Sequence, residues 1–571
     1  MAKFNIDGKD YEVQGSEMLL KYTFGTDVEI PYFCYHPAMS IPTNCRMCLV
    51  EVGYHQKDRA TGEWQYDAEG KPVIMWGRKP ATACNTPIAD GMFVKTGKTS
   101  QVVKVAQEGV LEYMLVNHPL DCPICDQAGE CPLQIWTYKY GPEGSRFENQ
   151  KTHKPKRIEL GPNVILDAER CINCTRCTRF TEEISGTHQL TIIGRGDKNH
   201  PATAPGKVFD DAYSMNVIDL CPVGALTSKA SRFKARPWEM NSTPSICTGC
   251  SNGCNTYVWI RDNEVIRHTP KENADVNQYW LCDAGRLQTD KYTTRRVSGA
   301  KTKGDIPVAL EDALKKAASL LQGVRGKILF IGSPFASAES NFALKQLSRQ
   351  YGKENELVFV PHVEKGFGDD FLRKDDLAPN AAACRLMGFK EVSAQLISDK
   401  LHNFDLVYLM EDDRLLEQVG ATLTGKTVIA HSTHHTTHSD KVEVILPAAM
   451  HIEGEGTYIN AKNIPQFVKM VKEIKRMTPE MWMSIAKSRL DKGAYPKDKW
   501  RNSDNIFDVL TSWKLIDLLG EKAGVNLHLN NHKEVFARMK GEYEIFQSMK
   551  VSYKIAKESF KNTQFEFAVG L

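Results

Sequence analysis

The sequence predicts a multi-domain α+β protein whose first half is rich in cysteine and whose second half alternates strands and helices. The chain has 571 residues, which is enough for several domains that each bury a core. Of its 16 cysteines, 15 lie between Cys34 and Cys282. Past Gly304 short apolar runs alternate with helical patterns, and that order is typical of a parallel sheet. The uneven distribution of cysteine therefore indicates that the first half of the chain carries a cysteine-based site.

Composition and charge exclude several classes of protein. The 73 Lys+Arg and 70 Asp+Glu residues leave a formal net charge of +3, which argues against a nucleic-acid partner or an electrostatic membrane role. The start of the chain has no apolar signal segment, and no run reaches the roughly 18 apolar residues of a transmembrane helix. We therefore expect a reducing cytoplasm, in which thiols stay free or bind metal instead of forming disulfides.

Local patterns predict the elements of the first 156 residues. In chain order we expect a β-rich region to about residue 100, a two-residue turn at Asp7-Gly8, a surface hairpin over 55–71, a helix over 100–117 and a linker over 141–156. The turn follows from Asp-Gly between two short extended runs. The helix follows from the spacing of its apolar residues, and Pro119 stops it.

The second half has the pattern of strand–helix–strand units. Apolar strands are predicted over 327–332, 404–409 and 426–430, with a helix over 338–351 and mostly helical structure over 506–519 and 533–559. Strands that alternate with helices at this spacing favour a parallel sheet.

The first cysteine set is Cys34-x10-Cys45-x2-Cys48-x35-Cys84. A close C-x2-C pair, with one cysteine upstream and one far downstream in a small β-rich region, follows the plant-type ferredoxin pattern for a 2Fe–2S cluster. The first gap is longer than in that pattern. A four-cysteine zinc site is the alternative, although such sites usually pair two C-x2-C knuckles.

The second set is His118-x3-Cys122-x2-Cys125-x5-Cys131. Several prolines and a glycine interrupt any helix here, so we expect a loop that wraps around a ligand. Three cysteines and a histidine suit zinc as well as a 4Fe–4S cluster, and the spacing alone does not decide between them. The alternative for His118 is a surface histidine beside a three-cysteine site.

The third set is Cys171-x2-Cys174-x2-Cys177, followed after 43 residues by Cys221 and a proline. A bacterial two-cluster ferredoxin has C-x2-C-x2-C-x3-C-P, in which the fourth cysteine serves the other cluster. Here Thr181 stands at that fourth position, so the distant Cys221 completes the first cluster. The pattern favours a single 4Fe–4S site over zinc.

The fourth set is Cys247-x2-Cys250-x3-Cys254-x27-Cys282, for which zinc is again the alternative. Four sets of four ligands need 16 groups, and the region supplies 15 cysteines and a histidine. No thiol of the region is left over. Several adjacent metal sites without a paired catalytic acid and base suggest a path for electrons.

Three other features of the sequence are assigned no chemistry. The stretch 420–427 has the letters of a phosphate-binding P-loop, but a helical run precedes it and a strand follows, which is the reverse of a working P-loop. The histidine-rich tract 431–438 lacks accompanying acids, and Cys384 reads as a small buried residue. No G-x-G-x-x-G follows a strand, so nicotinamide or flavin chemistry would belong to a partner.

Three stretches carry a resemblance to a known family. They are Phe33-Cys34-Tyr35-His36-Pro37 with Asn44-Cys45-Arg46-Met47-Cys48-Leu49-Val50-Glu51-Val52, then Asn117-His118-Pro119-Leu120-Asp121-Cys122-Pro123-Ile124-Cys125-Asp126, and Asp219-Leu220-Cys221-Pro222-Val223-Gly224-Ala225-Leu226-Thr227. They are very similar to the large iron–sulfur subunit of bacterial respiratory complex I, the NADH:quinone oxidoreductase. The resemblance covers roughly the first 290 residues closely.

The resemblance implies a ligand set for each cluster. The implied sets are Cys34, Cys45, Cys48 and Cys84 for a 2Fe–2S cluster; His118, Cys122, Cys125 and Cys131 for a histidine-ligated 4Fe–4S cluster; Cys171, Cys174, Cys177 and Cys221 for a 4Fe–4S cluster on the main electron path; and Cys247, Cys250, Cys254 and Cys282 for an extra 4Fe–4S cluster off that path.

It also implies a domain layout. The implied domains are a β-grasp 2Fe–2S ferredoxin-like domain over 1–100, a histidine/cysteine-ligated 4Fe–4S domain over 101–140, a 4Fe–4S ferredoxin-like domain over 141–240, a 4Fe–4S domain of molybdopterin-oxidoreductase type over 241–298 and a degenerate α/β domain of that type over 299–571. The boundary between the cluster-bearing half and the scaffold is expected just past Cys282.

The second half resembles the molybdopterin oxidoreductases, chiefly through 444–449 and 455–460. Two departures speak against a molybdenum cofactor. Ala284 stands where such enzymes usually carry a lysine, two residues after the last cluster cysteine, and the chain after Cys282 is short for the full set of cofactor-binding domains.

The resemblance implies an electron-transfer subunit without a complete substrate site of its own. Electrons would come from the flavin of an NADH-binding partner subunit and leave toward quinone through other iron–sulfur subunits, on the cytoplasmic side of the bacterial inner membrane. No nucleic acid and no direct membrane span are expected. The alternatives are the iron–sulfur subunit of an NAD-linked formate dehydrogenase or hydrogenase and, from another class, a zinc-bound scaffold.

Overall fold

The computed structural model describes residues 1–58, 61–352, 354–472 and 509–551. The described chain divides into two compact units, residues 1–241 and 242–551, called here the N-terminal and the C-terminal unit. In these ranges no helix has the length and hydropathy to cross a membrane. The predicted helical stretches 506–519 and 533–559 lie partly outside the described residues.

The N-terminal unit opens with a mixed sheet. Its strands are β1 Ala2–Ile6, β2 Lys9–Val13, β3 Leu49–His55, β4 Ile74–Trp76, β5 Ala81–Thr82 and β6 Met92–Lys95. The order is β2-β1-β6-β3-β4, with β5 also on β3; β1 and β6 are parallel and the other pairs antiparallel. The predicted turn is confirmed, since Asp7 and Gly8 have φ of 52° and 88° and both sit in the left-handed region that a two-residue hairpin needs.

The predicted surface hairpin is also confirmed. It joins β3 to β4 through isolated bridges between Lys57 and Trp64 and between Tyr66 and Pro72. The rings of His55 and Trp64 stack with centroids 4.6 Å apart, and most of the hairpin is exposed. Elsewhere in this region the short helix α1 Leu19–Thr23 packs into the core beside the sheet.

Two longer helices follow, α2 Gln101–Leu115 and α3 Pro132–Tyr140. The first is the helix predicted over 100–117, and it begins where the Ser100 hydroxyl accepts a hydrogen bond of 3.1 Å from the Val103 N–H. The buried Trp136 indole of α3 donates to the Tyr32 carbonyl at 3.3 Å, which fixes α3 against the sheet region. Residues 141–156 contain no helix or strand, as the linker prediction required.

The rest of the N-terminal unit is built from short elements. They are β7 Ile158–Glu159, β8 Val164–Leu166, α4 Arg176–Arg179, a π-helical turn Phe180–Ile184, β9 Thr191–Ile193, β10 His200–Ala202, α5 Asn216–Leu220 and β11 Leu226–Ser228. The sheet order is β11-β8-β7, with β9 and β10 as a separate hairpin. This short antiparallel sheet places the turn before α4 and the end of α5 close together, which is where the third cysteine set lies.

The C-terminal unit contains a small sheet and a large one. The small sheet has the order β12 Asn241–Ile246, β13 Asn255–Arg261 and β14 Glu264–Pro270, and helix α6 Asp283–Arg286 follows it. The large sheet comprises β15 Lys301–Thr302, β16 Ile306–Pro307, β17 Ile328–Ile331, β18 Glu356–Phe359, β19 Lys390–Glu391, β20 Leu406–Met410, β21 Thr427–Ser432 and β22 Val444–Pro447. A two-stranded sheet, β23 Gly456–Ile459 with β24 Pro465–Val468, completes the strands described there.

The large sheet has the order β16-β15-β22-β21-β20-β17-β18-β19, and its six strands from β22 to β19 are parallel. The predicted parallel sheet is therefore confirmed. Its helices are α7 Leu310–Gly323, α8 Ala338–Ser348, α9 Ala381–Leu386, α10 Ala394–Lys400, α11 Asp413–Val419, α12 Ser512–Lys522 and α13 His532–Glu542. Alternate residues of β17 enter different cores, Phe330 with α7 and α8 and Leu329 with α10 and α11, so both faces of the sheet are covered.

The three features without assigned chemistry are built into this scaffold. Helix α11 precedes the P-loop-like letters and β21 follows them, so the predicted helix-to-strand turn is confirmed. In the histidine tract, His431 is buried and bonds the Tyr408 hydroxyl at 2.6 Å and the Ser512 hydroxyl at 2.9 Å. Cys384 is buried in α9, as its sequence context predicted.

Candidate metal centres

All 16 cysteines lie in the described residues, and none forms a disulfide. Twelve are buried, Cys171, Cys174 and Cys221 are half-buried, and Cys122 is exposed. The prediction that disulfides do not explain the cysteines is therefore confirmed. The 15 cysteines from Cys34 to Cys282 fall into four groups along the chain, whereas Cys384 lies apart in the core of the large sheet.

The first set converges at one end of the N-terminal sheet. The Cys34 and Cys45 side chains lie close enough to shift each other's pKa, and so do those of Cys48 and Cys84. Its interaction with Cys34 lowers the pKa of the Cys45 thiol. The Ala83 N–H donates to the Cys48 carbonyl at 2.8 Å, which ties the distant cysteine to the C-x2-C turn. All four predicted positions are thus brought together.

The second set surrounds a cavity of about 370 Å³ that all four predicted side chains line. His118 Nδ1 is buried there, and no described residue forms a hydrogen bond with it. Burial lowers the pKa of His118 to about 4, so the imidazole is neutral at pH 7 and able to bind a metal. A buried unpaired ring nitrogen beside three thiols fits a metal ligand better than a surface histidine.

The third set gathers Cys171, Cys174 and Cys177 around the end of α5, where Cys221 lies. Each of these thiols feels the charge of others in the set, and burial raises the pKa of Cys171, Cys174 and Cys221 to about 11. The Asn173 N–H donates to the Cys171 sulfur at 3.4 Å. Without metal these thiols would be protonated at pH 7, so metal binding there must release protons.

The fourth set lies in the C-terminal unit. Its four cysteines line one narrow cavity together with Gly249, Gly285 and Gln288. Three hydrogen bonds reach its sulfurs: Gly249 N–H to Cys247 at 3.4 Å, Gly285 N–H to Cys282 at 3.4 Å, and the Asn252 amide to Cys254 at 3.0 Å. Donors aimed at sulfur are a feature of iron–sulfur sites, where they tune the potential.

Glycines stand where the backbone closely approaches these sulfurs. A Cβ on Gly224 would lie 2.1 Å from the Cys125 sulfur, and one on Gly285 would lie 2.9 Å from that of Cys247. Neither glycine has positive φ, so close approach, and not backbone conformation, requires them. Converging thiols, an unpaired imidazole nitrogen, N–H donors and glycines fit bound clusters.

No group of three or more His, Cys, Asp or Glu side chains within the described residues is arranged to hold a single metal ion.

Two buried arginines join the first set to the third. The Arg176 guanidinium donates to the Tyr35 carbonyl and, at 3.1 Å, to the Leu220 carbonyl, which precedes Cys221. Arg179 donates to the Cys34 carbonyl and, at 2.6 Å, to that of Ser40. Both side chains come from the turn and helix that carry Cys174 and Cys177. The backbone beside one ligand set is thus hydrogen-bonded to cations beside the next.

A third arginine joins the third set to the second. Arg170, next to Cys171, donates to the Asp121 carboxylate at 2.9 Å and to the Gly224 carbonyl at 3.5 Å. Asp121 precedes Cys122, and Gly224 packs on Cys125 as described above. The contacts therefore order the three sets of the N-terminal unit as first, third, second.

A solvent-open cleft of about 460 Å³ also brings residues of the three sets together. It is lined by Cys45 of the first set, His118 of the second and Cys171 of the third, with Arg46 and Lys154 on its walls. One predicted ligand from each set therefore borders the same space. Sequence reasoning missed the arginines and glycines that make this arrangement; the one signal available was the position of Arg176 and Arg170 inside or beside the cysteine motifs.

Comparisons with known proteins bear on the same segments. Family models match residues 1–99 (2Fe-2S iron-sulfur cluster binding domain), 107–146 (NADH-ubiquinone oxidoreductase-G iron-sulfur binding region), 161–227 (NADH-quinone oxidoreductase subunit 3, ferredoxin-like domain) and 240–291 (molybdopterin oxidoreductase Fe4S4 domain). The prediction of several domains of mixed α and β structure, with 2Fe–2S and 4Fe–4S types among them, is confirmed at that level.

Curated relatives are similar over most of the chain. The G subunit of NADH-quinone oxidoreductase from Streptomyces coelicolor is 36% identical over 65% of this chain and 42% of its own length. Its counterpart from Rickettsia felis is 38% identical over 62% of this chain and 50% of its own. The NADH-ubiquinone oxidoreductase 75 kDa subunit of Reclinomonas americana is 39% identical over 62% and 48%. The chain resembles the G subunit of NADH-quinone oxidoreductase.

The resemblance stated from the sequence motifs is thereby confirmed. The chain spans about half the length of the curated relatives it matches. Those relatives are subunits of oxidoreductase complexes by name. Among solved structures, a chain of an NAD+-reducing [NiFe]-hydrogenase is 26% identical and covers 41% of this chain and 90% of its own, with a TM-score of 0.33. At that TM-score the likeness supports no argument about fold or function.

Proposed function

We propose that the chain is an electron-transfer subunit of an NADH:quinone oxidoreductase, respiratory complex I. The observation that carries the proposal is the arginine-linked order of three ligand sets within the N-terminal unit. A zinc scaffold has no need for adjoining sites, whereas transfer of electrons depends on their proximity. The relatives from Streptomyces coelicolor and Rickettsia felis support the same function.

The 16 predicted side chains are the proposed ligands, four to each site. They are Cys34, Cys45, Cys48 and Cys84 for one 2Fe–2S cluster, and His118, Cys122, Cys125 and Cys131, then Cys171, Cys174, Cys177 and Cys221, then Cys247, Cys250, Cys254 and Cys282 for three 4Fe–4S clusters. Bound clusters would supply one-electron transfer at these sites. No molybdenum cofactor is proposed.

The chain's own residues hold the sites at fixed spacing and bury most of their sulfur atoms. Burial of these thiols limits contact with solvent, and N–H donors such as that of Asn173 stabilise the negative charge on sulfur. Arg170, Arg176 and Arg179 fix each ligand loop against its neighbour. The neutral imidazole of His118 gives the second set one negative charge fewer than four thiolates would, which raises its reduction potential.

We further propose the assembly around the chain. A subunit that binds NADH and a flavin would donate electrons to the first set, and other iron–sulfur subunits of the peripheral arm would accept them from the second. The assembly would lie on the cytoplasmic side of the bacterial inner membrane. The domain layout over 1–100, 101–140, 141–240, 241–298 and 299–571, with a β-grasp first domain and a degenerate molybdopterin-oxidoreductase-like last one, belongs to this proposal.

The test uses the full chain purified without oxygen. We expect a brown protein with an absorption band from iron–sulfur charge transfer and iron in place of zinc; a colourless protein with about four zinc ions would overturn the proposal. In an EPR redox titration, His118→Cys should lower the midpoint potential of one 4Fe–4S signal while the iron content stays the same. His402→Cys, which adds a thiol at an exposed position, is the control. If His118→Cys shifts no signal, the histidine is not a ligand.

A further inference from the structure

Among the described residues, Lys291 has no carboxylate partner and lies next to the lining of the fourth set. Lys291 belongs to a short stretch of 3₁₀ helix, Gln288–Tyr292, directly after α6. Its ammonium donates to the Thr248 hydroxyl at 2.8 Å and to the Gln288 side-chain oxygen. Its carbonyl accepts a hydrogen bond of 2.7 Å from the His434 ring, which fixes the backbone there.

The two partners of the ammonium locate it against the cysteines. Thr248 follows Cys247 in the C-x2-C turn. Gln288 lines the same cavity as the four cysteines, and its amide nitrogen would lie 2.3 Å from a Cβ placed on Gly249. The ammonium is therefore hydrogen-bonded to a residue that lines the cavity, on the side where Cys247 lies.

The charges around Lys291 are otherwise positive or neutral. In the part of the chain that the structure describes, no carboxylate forms an ion pair with it, whereas Arg296 of the same unit pairs with Glu453. The basic groups near it are His268, His451 and Arg414, and burial of the two histidines keeps them neutral by lowering their pKa.

A half-buried ammonium without an anion is costly, because its hydration is only partly replaced by two neutral acceptors and the face of the Tyr292 ring, whose centroid is 5.1 Å away. Burial lowers the pKa of Lys291 to about 8, which leaves the ammonium charged at pH 7. A charge kept under these conditions needs a negative counterpart. Four cysteine thiolates around a cluster would provide one on the far side of Thr248 and Gln288.

We propose that Lys291 is the fixed countercharge of the fourth set, a positioning residue that raises the reduction potential of the cluster bound there. The reason is electrostatic: reduction adds negative charge to the site, so a nearby cation stabilises the reduced form more than the oxidised form. This inference rests on the proposed function, since it needs a cluster at Cys247, Cys250, Cys254 and Cys282.

The experiment compares EPR redox titrations of the full chain and its variants, prepared without oxygen. Cys247→Ser first identifies which 4Fe–4S signal belongs to the fourth set. Lys291→Met, which keeps the length of the side chain but not its charge, should shift the midpoint potential of that signal to a more negative value and leave the other signals in place. Lys291→Arg should keep the midpoint potential close to that of the unmodified chain, because the charge is kept. Lys303→Met, at an exposed lysine of the same unit, should change nothing.

The outcomes separate this inference from the proposed function. If the unmodified chain has no 4Fe–4S signal that Cys247→Ser removes, the ligand set is wrong and the inference fails with it. If the signal exists but Lys291→Met leaves its potential unchanged, or if Lys291→Arg shifts it as far as Lys291→Met does, the countercharge is refuted while the ligand set stands. If Lys291→Met loses the iron of the fourth set, retention of that iron at an unshifted potential in Lys291→Arg supports the inference, and loss in both variants overturns it.

Discussion

The three ligand sets of the N-terminal unit and the single set of the C-terminal unit have similar spacing in the sequence but different surroundings. In the N-terminal unit, arginines beside the third set bond the loops of the first and second. In the C-terminal unit, the Cys250–Cys254 loop is bonded to the scaffold instead: the Gln466 amide donates to the Gly253 carbonyl at 2.8 Å and the Ser251 N–H to the Asp376 carbonyl at 2.7 Å. The loops of the N-terminal sets are thus bonded to one another, and this loop of the fourth set is bonded to other parts of its own unit.

The fourth set shares its compact unit with the large parallel sheet. That unit begins at Ser242 and contains Cys247 to Cys282. From the sequence we expect the boundary between the cluster-bearing half and the scaffold just past Cys282, and this stays a prediction.

Glycine-to-alanine substitutions beside the sulfurs give the largest expected contrast between the two units. Gly224→Ala would place a methyl group 2.1 Å from the Cys125 sulfur, far inside van der Waals contact, so the second set should lose its cluster, about four iron atoms per chain. Electron transfer through the complex should then stop. Gly285→Ala, with its Cβ 2.9 Å from the Cys247 sulfur, should remove only the fourth cluster and leave transfer intact. Iron analysis, EPR and NADH:quinone activity of the assembled complex measure both results.

Gly109→Ala is the matched control, because nothing lies within 4 Å of its Cβ and alanine suits the middle of α2. It should keep all iron and stabilise the chain by about 0.5–1 kcal/mol. Equal loss of transfer in Gly224→Ala and Gly285→Ala would break the distinction between the two units and place the fourth set on the electron path.

Local signals in the sequence were sufficient for much of the fold. The Asp7-Gly8 turn, helix α2 and the parallel strands follow from patterns within a few residues, and each is present. The convergence of each ligand set also follows from spacing. The contacts between sets do not, because Arg176 and the Tyr35 carbonyl are 141 residues apart and no pattern in the sequence pairs them. The identity of a buried arginine's acceptors depends on how the loops fold together.

Removal of one linking arginine should have an intermediate effect. Arg176→Gln deletes hydrogen bonds from a buried cation to carbonyls beside two ligand sets, which we expect to cost about 2 kcal/mol of stability. The loops of the first and third sets should then loosen, and electron transfer between them should slow several-fold in rapid-freeze EPR with all clusters present. Arg176→Lys should recover little, since an ammonium lacks the planar fork that spans two carbonyls.

Arg195→Gln, at an exposed arginine of the same unit, serves as the control. An Arg176→Gln chain with its clusters present and an unchanged transfer rate would show that the arginine supports folding alone. The link between the first and third sets would then rest on Arg179, and the link between the third and second sets on Arg170.

The smallest predicted effect concerns pH and the scaffold. Burial lowers the pKa of His431 to about 3, so the folded C-terminal unit keeps this ring neutral while the unfolded chain binds a proton below pH 6.5. Its contribution to stability is therefore fully present above pH 6.5 and falls as the pH drops toward 3, by at most about 1.4 kcal/mol per pH unit. His268 has the same shift, also to about 3. Hydrogen exchange in peptides from β20 and β21, corrected for intrinsic rates, should show protection that declines from pH 6.5 to 5.

His431→Gln tests the assignment, because glutamine can bond both the Tyr408 and Ser512 hydroxyls but does not titrate. The variant should be less stable at pH 7. As the pH falls, however, its protection should decline less steeply than that of the unmodified chain, and the difference in slope should correspond to the uptake of about one proton on unfolding. His402→Gln, at an exposed histidine, should keep the original slope. Identical slopes in all three proteins would mean that the acid sensitivity arises elsewhere, and the C-terminal unit would then differ from the N-terminal unit in packing but not in its response to protons.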